Sequence, residues 1–257
     1  MAGAFASASS QYLDSATAPV SDYPITMACW ANCDSDSFNE TLMHLYSDEW
    51  GSYSGLLLEK INGGTVRAAS TNFAAASSDT GSITGGVWFH VCGVWASSTS
   101  RIVYLNGSAG TEDTTSKSFS VNSLYIGRRN AASPDRYANG KLAEAAVWAS
   151  ALTAPEVASL AKGYAPSMVR PGSLAFYLPM VRGLVGDVVG GLQMTNNNTV
   201  TVADHPRVIY PRRRRVVVAD AAAPPATTFG FLRENAGVGS MGGGPFSRSN
   251  AGLGALA

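Results

Sequence analysis

Charged residues, cysteines and long apolar runs are all scarce in this sequence, and each scarcity argues against a class of protein. Charged residues make up 14% of the chain, against about 25% in an average globular domain. The three cysteines, Cys29, Cys33 and Cys92, are too few and odd in number for a disulfide framework. No run reaches the ~18 apolar residues of a membrane span, and the N-terminal sequence MAGAFASASS lacks the regions of a secretory signal. We therefore expect no membrane partner and synthesis in a reducing cytoplasm.

Serine, threonine, asparagine and glycine are abundant instead, and they separate short runs in which apolar and polar residues alternate. Strands are predicted over 23–33, 54–61, 65–70, 86–95, 100–107, 123–127, 140–148, 173–180, 191–195 and 199–203. Asn62-Gly63-Gly64 lies between two of these runs and is a strong hairpin signal. Several short strands at this spacing predict an all-β sandwich or barrel.

One helix of about ten residues is predicted from Thr153 onward. Thr153 and Glu156 have the spacing of a capping box, and Pro155 suits a first helical turn because its missing N–H costs little there. Gly163 is typical of a position just past a helix end. We expect this helix to cover the sandwich as a lid rather than to form its core.

The distribution of charge divides the chain at Pro206. Residues 1–206 carry 11 Lys and Arg against 16 Asp and Glu, whereas residues 207–257 carry 7 against 2. Within 221–257, glycine, alanine, proline and serine make 22 of 37 residues, a composition that cannot bury enough apolar surface to fold alone. We predict a folded domain over 1–206 and an extended C-terminal arm over 207–257, basic at first and then Gly/Ala-rich, held by a partner or a neighbouring copy.

Six segments follow the order of motifs in a known family. They are SSQYLDS (9–15), YPITMACW (23–30), WFHVCGVW (88–95), VYLNG (103–107), LYIG (124–127) and GKLAEAAVWASALTAPE (140–156). Together they resemble the laminin-G-like, concanavalin-A-like jelly-roll domains over about 150 residues. The resemblance implies an all-β, two-sheet antiparallel jelly-roll sandwich, with sugar binding or protein binding as the usual role.

Two departures from the family pattern affect what the resemblance implies. In many members of the family, a stretch similar to FYLPMVRGLVGDVVGG (176–191) precedes the other motifs, whereas in this sequence it follows the helix. This order indicates a permuted start of the domain. We therefore expect the closing strands of 173–203 to pair beside the N-terminal strand. The family's acidic residue near a calcium site is Ala143 here, although Glu144 is retained. Calcium held by loop oxygens remains an alternative, from Asp14, Asp34, Asp36 or Asn39; otherwise no cofactor is expected.

The sequence offers little for catalysis or zinc binding. Glycosidases share this fold, and a retaining glycosidase needs two carboxyl groups about 5.5 Å apart. The available acidic pairs fall in loops or would point to opposite faces of a strand: Asp34/Asp36, Glu112/Asp113 and Asp48/Glu49. A zinc site from Cys29 and Cys33 with His44, His90 or Cys92 lacks a second paired motif. We predict no enzymatic activity, no metal centre and buried cysteines that act as small apolar side chains.

A sugar site needs exposed aromatic rings with amide or carboxylate groups beside them. Trp50 and Tyr53 lie with Asp48 and Glu49 in a predicted loop, DEWGSYSG (48–55). These four residues are the sequence's candidates for sugar binding. The remaining tryptophans fall in predicted strands and are expected in the core or on a sheet face: Trp30, Trp88, Trp95 and Trp148.

An arginine run opens the arm. Nucleic-acid binding favours basic residues interleaved with aromatic ones, which this run lacks, so nucleic acid is disfavoured as a partner. In an extended segment alternate arginines face opposite sides, where each can pair with carboxylates of a neighbouring protein, and valines favour strand addition. The predicted partner-binding residues are Arg212, Arg213, Arg214, Arg215, Val216, Val217 and Val218.

Two functions therefore remain open from the sequence. The first is a non-catalytic structural or decoration protein of a large assembly, a phage virion capsid or tail, assembled in the host cytoplasm and anchored by its arm to other virion proteins or to copies of itself. The second is a lectin-like carbohydrate-binding module that adheres to a glycan on a host surface.

Overall fold

The computed structural model describes residues 1–49, 54–72, 74–118, 120–181 and 185–211. These residues form an all-β sandwich of two antiparallel sheets with one short helix, α1 (Ala154–Ala161), which confirms the predicted fold class. Short 3-10 turns lie at Ser7–Ser9, Pro166–Met168 and Pro171–Ser173. In the part of the chain described here, no helix is long and apolar enough to cross a membrane.

The first sheet, sheet I, has eight strands. They are β1 (Ala2–Phe5), β3 (Ile25–Cys33), β8 (Phe89–Ser97), β9 (Ser100–Leu105), β10 (Ser108–Ala109), β12 (Gly140–Trp148), β13 (Leu174–Leu178) and β15 (Thr201–Ala203). Their order is β10-β9-β8-β3-β12-β1-β15, and β13 also pairs with β12. Because β1 pairs along Gly140–Leu142 and β13 along Ala145–Trp148, the two strands share one edge of β12.

The second sheet, sheet II, has seven strands. They are β2 (Tyr12–Ser15), β4 (Glu40–Tyr46), β5 (Gly55–Lys60), β6 (Val66–Asn72), β7 (Ala74–Thr80), β11 (Ser123–Ile126) and β14 (Thr195–Asn197). Their order is β14-β2-β11-β4-β5-β6-β7. The predicted hairpin is confirmed, since β5 and β6 pair around Asn62-Gly63-Gly64 and both glycines have positive φ.

The closing strands pair largely as the permuted start predicts. β15 pairs with β1 and β14 pairs with β2, as expected, but β13 pairs with β12 rather than with an N-terminal strand. The strand predicted over 191–195 is also wrong in its bounds, because β14 begins only at Thr195. The Asp187 carboxylate accepts hydrogen bonds from the backbone N–H groups of Tyr177, Val189 and Leu192, and so holds the preceding residues in a loop.

Apolar side chains fill both the space between the sheets and the outer face of sheet I. Cys29 and the fully buried Trp95 belong to the core between the sheets. Cys92 and Trp148 belong to a second cluster on the opposite face of sheet I, under Val157 and Leu160 of α1. This confirms the predicted lid, and the three free, buried cysteines confirm their predicted role as small apolar side chains.

The capping box that predicts α1 is present. Glu156 Oε2 accepts hydrogen bonds from the Thr153 backbone N–H and hydroxyl, each at 2.8 Å, and Arg170 donates to both oxygens of the same carboxylate. These bonds hold the pKa of Glu156 below its usual value although burial acts to raise it. The helix start is therefore tied to the segment that leads into β13.

Candidate functional site

Most residues singled out from the sequence lie outside the described part of the chain. Trp50 and Tyr53 are among them, as are Arg212, Arg213, Arg214, Arg215, Val216, Val217 and Val218. Asp48 and Glu49 are described: both are exposed in a turn after β4. Glu49 Oε2 accepts a hydrogen bond from the Ser120 backbone N–H at 3.3 Å. The sugar-binding and partner-binding roles of all these residues remain predictions.

Four partly exposed tyrosines lie together on the outer face of sheet II, and we call them the tyrosine surface: Tyr12, Tyr46, Tyr125 and Tyr137. The ring centroids of Tyr46 and Tyr125 are 6.2 Å apart with the rings nearly perpendicular. The Tyr12 and Tyr137 centroids are 6.3 Å apart. Both separations fall within the range of favourable aromatic pairs.

The alternation of side chains along β2 and β11 places these rings outward. Leu13 in β2 and Leu124 in β11 are fully buried between the sheets, so their neighbours Tyr12 and Tyr125 point to the opposite face. Tyr125 lies opposite Asp14 on one side and opposite His44 on the other. The pairing of three strands therefore brings together residues more than a hundred positions apart in sequence.

Arg128 joins the two tyrosine pairs. Gly127 has φ +86°, and a Cβ built there would lie 2.7 Å from the Phe5 ring, so only glycine fits this turn after β11. The turn carries the Arg128 guanidinium carbon to 3.8 Å from the Tyr12 ring centroid and 4.8 Å from that of Tyr125. Both distances are typical of cation–π contacts.

His44 forms the buried floor beside Tyr46 and Tyr125. Its Nδ1 accepts from the Asn130 backbone N–H at 3.0 Å, and its Nε2–H donates to the Ser54 carbonyl at 3.1 Å. Burial, with smaller contributions from Arg129 and Arg128, lowers the pKa of His44 to about 3. The ring is therefore neutral at neutral pH and anchors the loop that carries Arg128.

Hydrogen-bonding groups border the tyrosine surface at both ends. Asp14 Oδ1 accepts a hydrogen bond from Asn197 Nδ2 at 2.7 Å. Burial raises the pKa of Tyr46, and the Asp48 charge raises it further, so the turn of Asp48 lies close to this end of the surface. Aromatic faces with a few placed polar groups are the usual composition of a small-ligand site.

The residues present do not fit a calcium site. Each of the four side chains proposed as calcium ligands accepts a hydrogen bond from the protein. Asn139 Nδ2 donates to Asp34, Ser37 to Asp36, the Asn62 backbone N–H to Asn39 and Asn197 to Asp14. Within the described ranges, no three His, Cys, Asp or Glu side chains are grouped so that they could hold a metal ion. Among the described residues, Asp14, Asp34 and Asp36 are therefore not grouped as a metal-binding cluster.

Glu144, the acidic residue retained beside Ala143, binds groups of the protein itself. It is buried, and its φ of +56° marks a bulge in β12. Its carboxylate accepts from the hydroxyls of Tyr177 at 2.5 Å and Tyr210 at 2.6 Å, and its Oε1 lies 3.1 Å from His205 Nε2. Burial acts to lower the pKa of His205, but the hydrogen bonds to Glu144 and to backbone carbonyls raise it overall.

The first residues of the predicted arm pair with the domain. The Ile209 N–H donates to the Gly163 carbonyl at 2.7 Å, and the Ala165 N–H donates to the Ile209 carbonyl at 3.0 Å. Beside them, a groove of about 470 Å³ is lined by Ser167, Tyr177, Pro179, Val181, Val188, Tyr210 and Pro211. Because Glu144 already binds both tyrosine hydroxyls, this groove offers fewer free polar groups than the tyrosine surface does.

The two antiparallel sheets form a jelly-roll sandwich, with the tyrosine surface on the outer face of sheet II. Residues 7–158 match the sequence pattern of the concanavalin A-like lectin/glucanases superfamily, in its laminin-G subgroup. The chain belongs to this superfamily. Among curated protein sequences, none matches the chain significantly.

Solved structures with the same fold include sugar-associated proteins. A candidate carbohydrate-binding protein from Bacteroides ovatus has a TM-score of 0.60 and 20% identity, over 80% of this chain and 60% of its own. A heptameric SAP-like pentraxin from Limulus polyphemus has a TM-score of 0.49 and 18% identity, over 59% of this chain and 75% of its own. Domain 4 of an arabinanase from Geobacillus stearothermophilus, solved with arabinotriose, has a TM-score of 0.45 and 19% identity, over 55% and 68%. At 20% identity, the likeness to the Bacteroides ovatus protein shows the fold alone.

Sequence reasoning missed the tyrosine surface, although one signal was present. Tyr125 lies between Leu124 and Ile126 in a segment predicted as a strand, so the alternation already places its ring on the face opposite the apolar pair. The proximity of Tyr12, Tyr46 and Arg128 depends on the order β2-β11-β4 in sheet II. That order cannot be read from one segment alone.

Proposed function

We propose that this chain is a non-catalytic carbohydrate-binding domain that holds a saccharide on the tyrosine surface. The observation that carries the proposal is the grouping of four partly exposed tyrosine rings around Arg128, with Asp14 and Asn197 beside them. Tyrosine rings offer flat apolar faces for the C–H groups of a sugar ring. Carboxylate, amide and guanidinium groups exchange hydrogen bonds with its hydroxyls.

The superfamily supports this proposal, and so does the Bacteroides ovatus protein, which shares the fold over most of this chain. The arrangement of the nearby carboxylates supports binding without hydrolysis. Glu59 is ion-paired with Arg136 at 2.9 Å and Asp135 with Arg129 at 2.6 Å. Both of these carboxylates are engaged by an arginine, whereas a retaining glycosidase needs two carboxyl groups about 5.5 Å apart that act on the substrate.

A glycan array probed with the full chain, followed by calorimetry on the best ligand, tests the proposal. We expect Tyr12→Ala and Tyr125→Ala each to weaken binding at least about tenfold, equivalent to about 1.4 kcal/mol. Tyr164→Ala is the matched control, because Tyr164 is 39% exposed and lies beside α1, away from sheet II. Absence of binding to any glycan, or binding that neither substitution weakens, contradicts the proposal.

The loop residues Trp50 and Tyr53 belong in the same series of variants. They follow Asp48 in the sequence and are the aromatic residues predicted for sugar binding. If Trp50→Ala and Tyr53→Ala also weaken binding, the loop site and the tyrosine surface form one site. If they alone weaken binding, the site is the loop.

Anchorage in a larger assembly, such as a phage particle, is the second candidate function. The excess of basic residues in 207–257 over an acidic body favours it. The experiment is deletion of residues 212–257, beyond the segment paired with Gly163 and Ala165. The candidate predicts a folded domain that no longer joins its assembly, and normal assembly of the shortened chain would contradict it.

A further inference from the structure

Arg128 is a buried cation at the tyrosine surface. The residue is 9% exposed, and its Nε is buried without a hydrogen-bond acceptor. Its Nη2 donates to the neutral amide oxygen of Asn130 at 3.0 Å. In the part of the chain that the structure describes, no carboxylate lies within ion-pair distance of this guanidinium. Removing an arginine charge from water without a counter-charge is costly.

The more deeply buried Arg101 is neutralised, and so are two less buried arginines near Arg128. Arg101 pairs with Asp113, and the neighbours of Arg128 in the same loop, Arg129 and Arg136, pair with Asp135 and Glu59. Among the described residues, Arg128 therefore differs from these arginines in having no carboxylate partner. The lowered pKa of His44, to which Arg129 and Arg128 both contribute after burial, is consistent with a positive potential at this surface.

Two features of the protein partly compensate for the charge, but neither uses the donors of Arg128. The guanidinium carbon lies over the Tyr12 and Tyr125 rings, and a cation–π contact supplies no oxygen acceptor to the N–H groups. Asp14 is the acidic group of the surface, and its Oδ1 is bound by Asn197. One N–H of Nη2 is used by Asn130, so both N–H groups of Nη1 and the second of Nη2 remain for a ligand.

We infer that Arg128 selects a carboxylate-bearing saccharide, in which the sugar carboxylate meets the Nη1 and Nη2 edge while the sugar ring lies on Tyr12 or Tyr125. The guanidinium edge matches a carboxylate in a bidentate, charge-assisted pair. The carboxylate can belong to a uronic acid within a chain or to a terminal sialic acid, since both present the same group. The inference rests on the proposed function and names the ligand class of the same site.

The test compares ligands that differ only in the carboxylate. The full chain is titrated with a polyuronate and with the same polysaccharide after chemical reduction of its carboxyl groups to alcohols; a sialylated oligosaccharide and the same oligosaccharide with its carboxyl group reduced make the second pair. We expect at least one acidic member to bind about tenfold or more tightly than its neutral counterpart, the effect of one charge-assisted hydrogen bond. Higher salt is expected to narrow that difference.

Arg128→Gln and Arg128→Lys complete the experiment on the protein side. Arg128→Gln is expected to remove the preference for the acidic ligand, and Arg128→Lys to retain only part of it, because lysine lacks the planar pair of donors. The thermal unfolding midpoint of each variant is measured alongside, and the reduced polysaccharide tests the inference without any substitution. Equal affinity for acidic and neutral ligands, or a preference for sulfated over carboxylated ones, overturns the inference while the proposed function stands. Binding to no saccharide at all overturns the proposed function itself.

Discussion

His44 and His90 are both buried and neutral, and this makes the stability of the domain depend on pH. Burial lowers the pKa of each imidazole to about 3, against about 6.5 in an unfolded chain. Below pH 6.5 the unfolded state therefore binds protons that the folded state does not. We expect the free energy of unfolding to fall, by up to about 1.4 kcal/mol per pH unit for each histidine, between pH 6.5 and about 4.5, above the range of ordinary carboxyl groups.

Urea unfolding at several pH values measures this slope. His90→Gln tests the assignment, because the His90 ring packs edge-on against Trp30 and its Nδ1 has no hydrogen-bond partner among the described residues. About half of the slope is expected to disappear in this variant. His205 acts in the opposite sense: its raised pKa stabilises the fold at low pH, and that contribution is lost as pH rises through the folded-state value. A flat profile in the wild-type chain would count against both buried histidines.

The individual residues of the candidate site were the feature that the sequence predicted least. Asp48 was identified and lies close to Tyr46, but Tyr12, Tyr125 and Arg128 were not singled out. Their roles arise from contacts between β2, β11 and the loop after Gly127. A side chain's face can be predicted from alternation, whereas its neighbours across the sheet depend on pairings formed at long sequence separation.

At the scale of single elements, the hairpin and the helix, which have strong local sequence signals, were predicted correctly. Strands with weak sequence signals were missed. The hairpin at Asn62-Gly63-Gly64 and the capping box of α1 are specified by a few adjacent residues, and both are confirmed. Four strands of the described chain fall outside both the predicted runs and the family-like segments: β1, β4, β7 and β10. β1 and β7 are rich in alanine, glycine or serine, which have low strand propensity. β4 is buried on both faces, with Thr41 and His44 covered by the loop after β11, and so shows no simple alternation.

The capping box gives an element-scale prediction for α1. Thr153→Ala removes the hydroxyl that donates to Glu156 and the side-chain oxygen that caps the helix N-terminus. We expect a loss of about 1 kcal/mol in the free energy of unfolding. Chemical denaturation of the full chain measures the change.

Ser159→Ala is the matched control for this prediction. Ser159 lies on the exposed side of the same helix, and its hydroxyl donates to the Pro155 carbonyl within the helix. Because alanine has the higher helix propensity, this variant is expected to be neutral or slightly stabilising. Equal losses in the two variants would show that the cap of Thr153 contributes nothing specific.

At the scale of the whole molecule, the sequence predicted the architecture but not how the chain closes around it. Motif order indicated a two-sheet sandwich, and the pairing of β15 with β1 and β14 with β2 agrees with the predicted permuted start. The position of residues 204–211 was not predicted. It depends on one buried carboxylate, Glu144, which has no local signal because its partners Tyr177, His205 and Tyr210 lie 33 to 66 residues away.

Truncation at two positions tests whether this closing segment is part of the folded domain. A chain of residues 1–211 keeps all three groups that contact Glu144, whereas a chain of residues 1–203 loses His205 and Tyr210. We expect 1–203 to be less stable than 1–211 by about 2–5 kcal/mol, since a buried carboxylate is left with fewer donors. Because His205 has a raised pKa in the folded chain, the difference is larger at pH 6 than at pH 8.

We expect 1–211 and the full chain to unfold at similar denaturant concentrations, because the composition of 221–257 gives little apolar burial. Equal stability of 1–203 and 1–211 at both pH values would mean that Glu144 finds other donors, and that the domain ends at β15 rather than at the segment bound to Glu144.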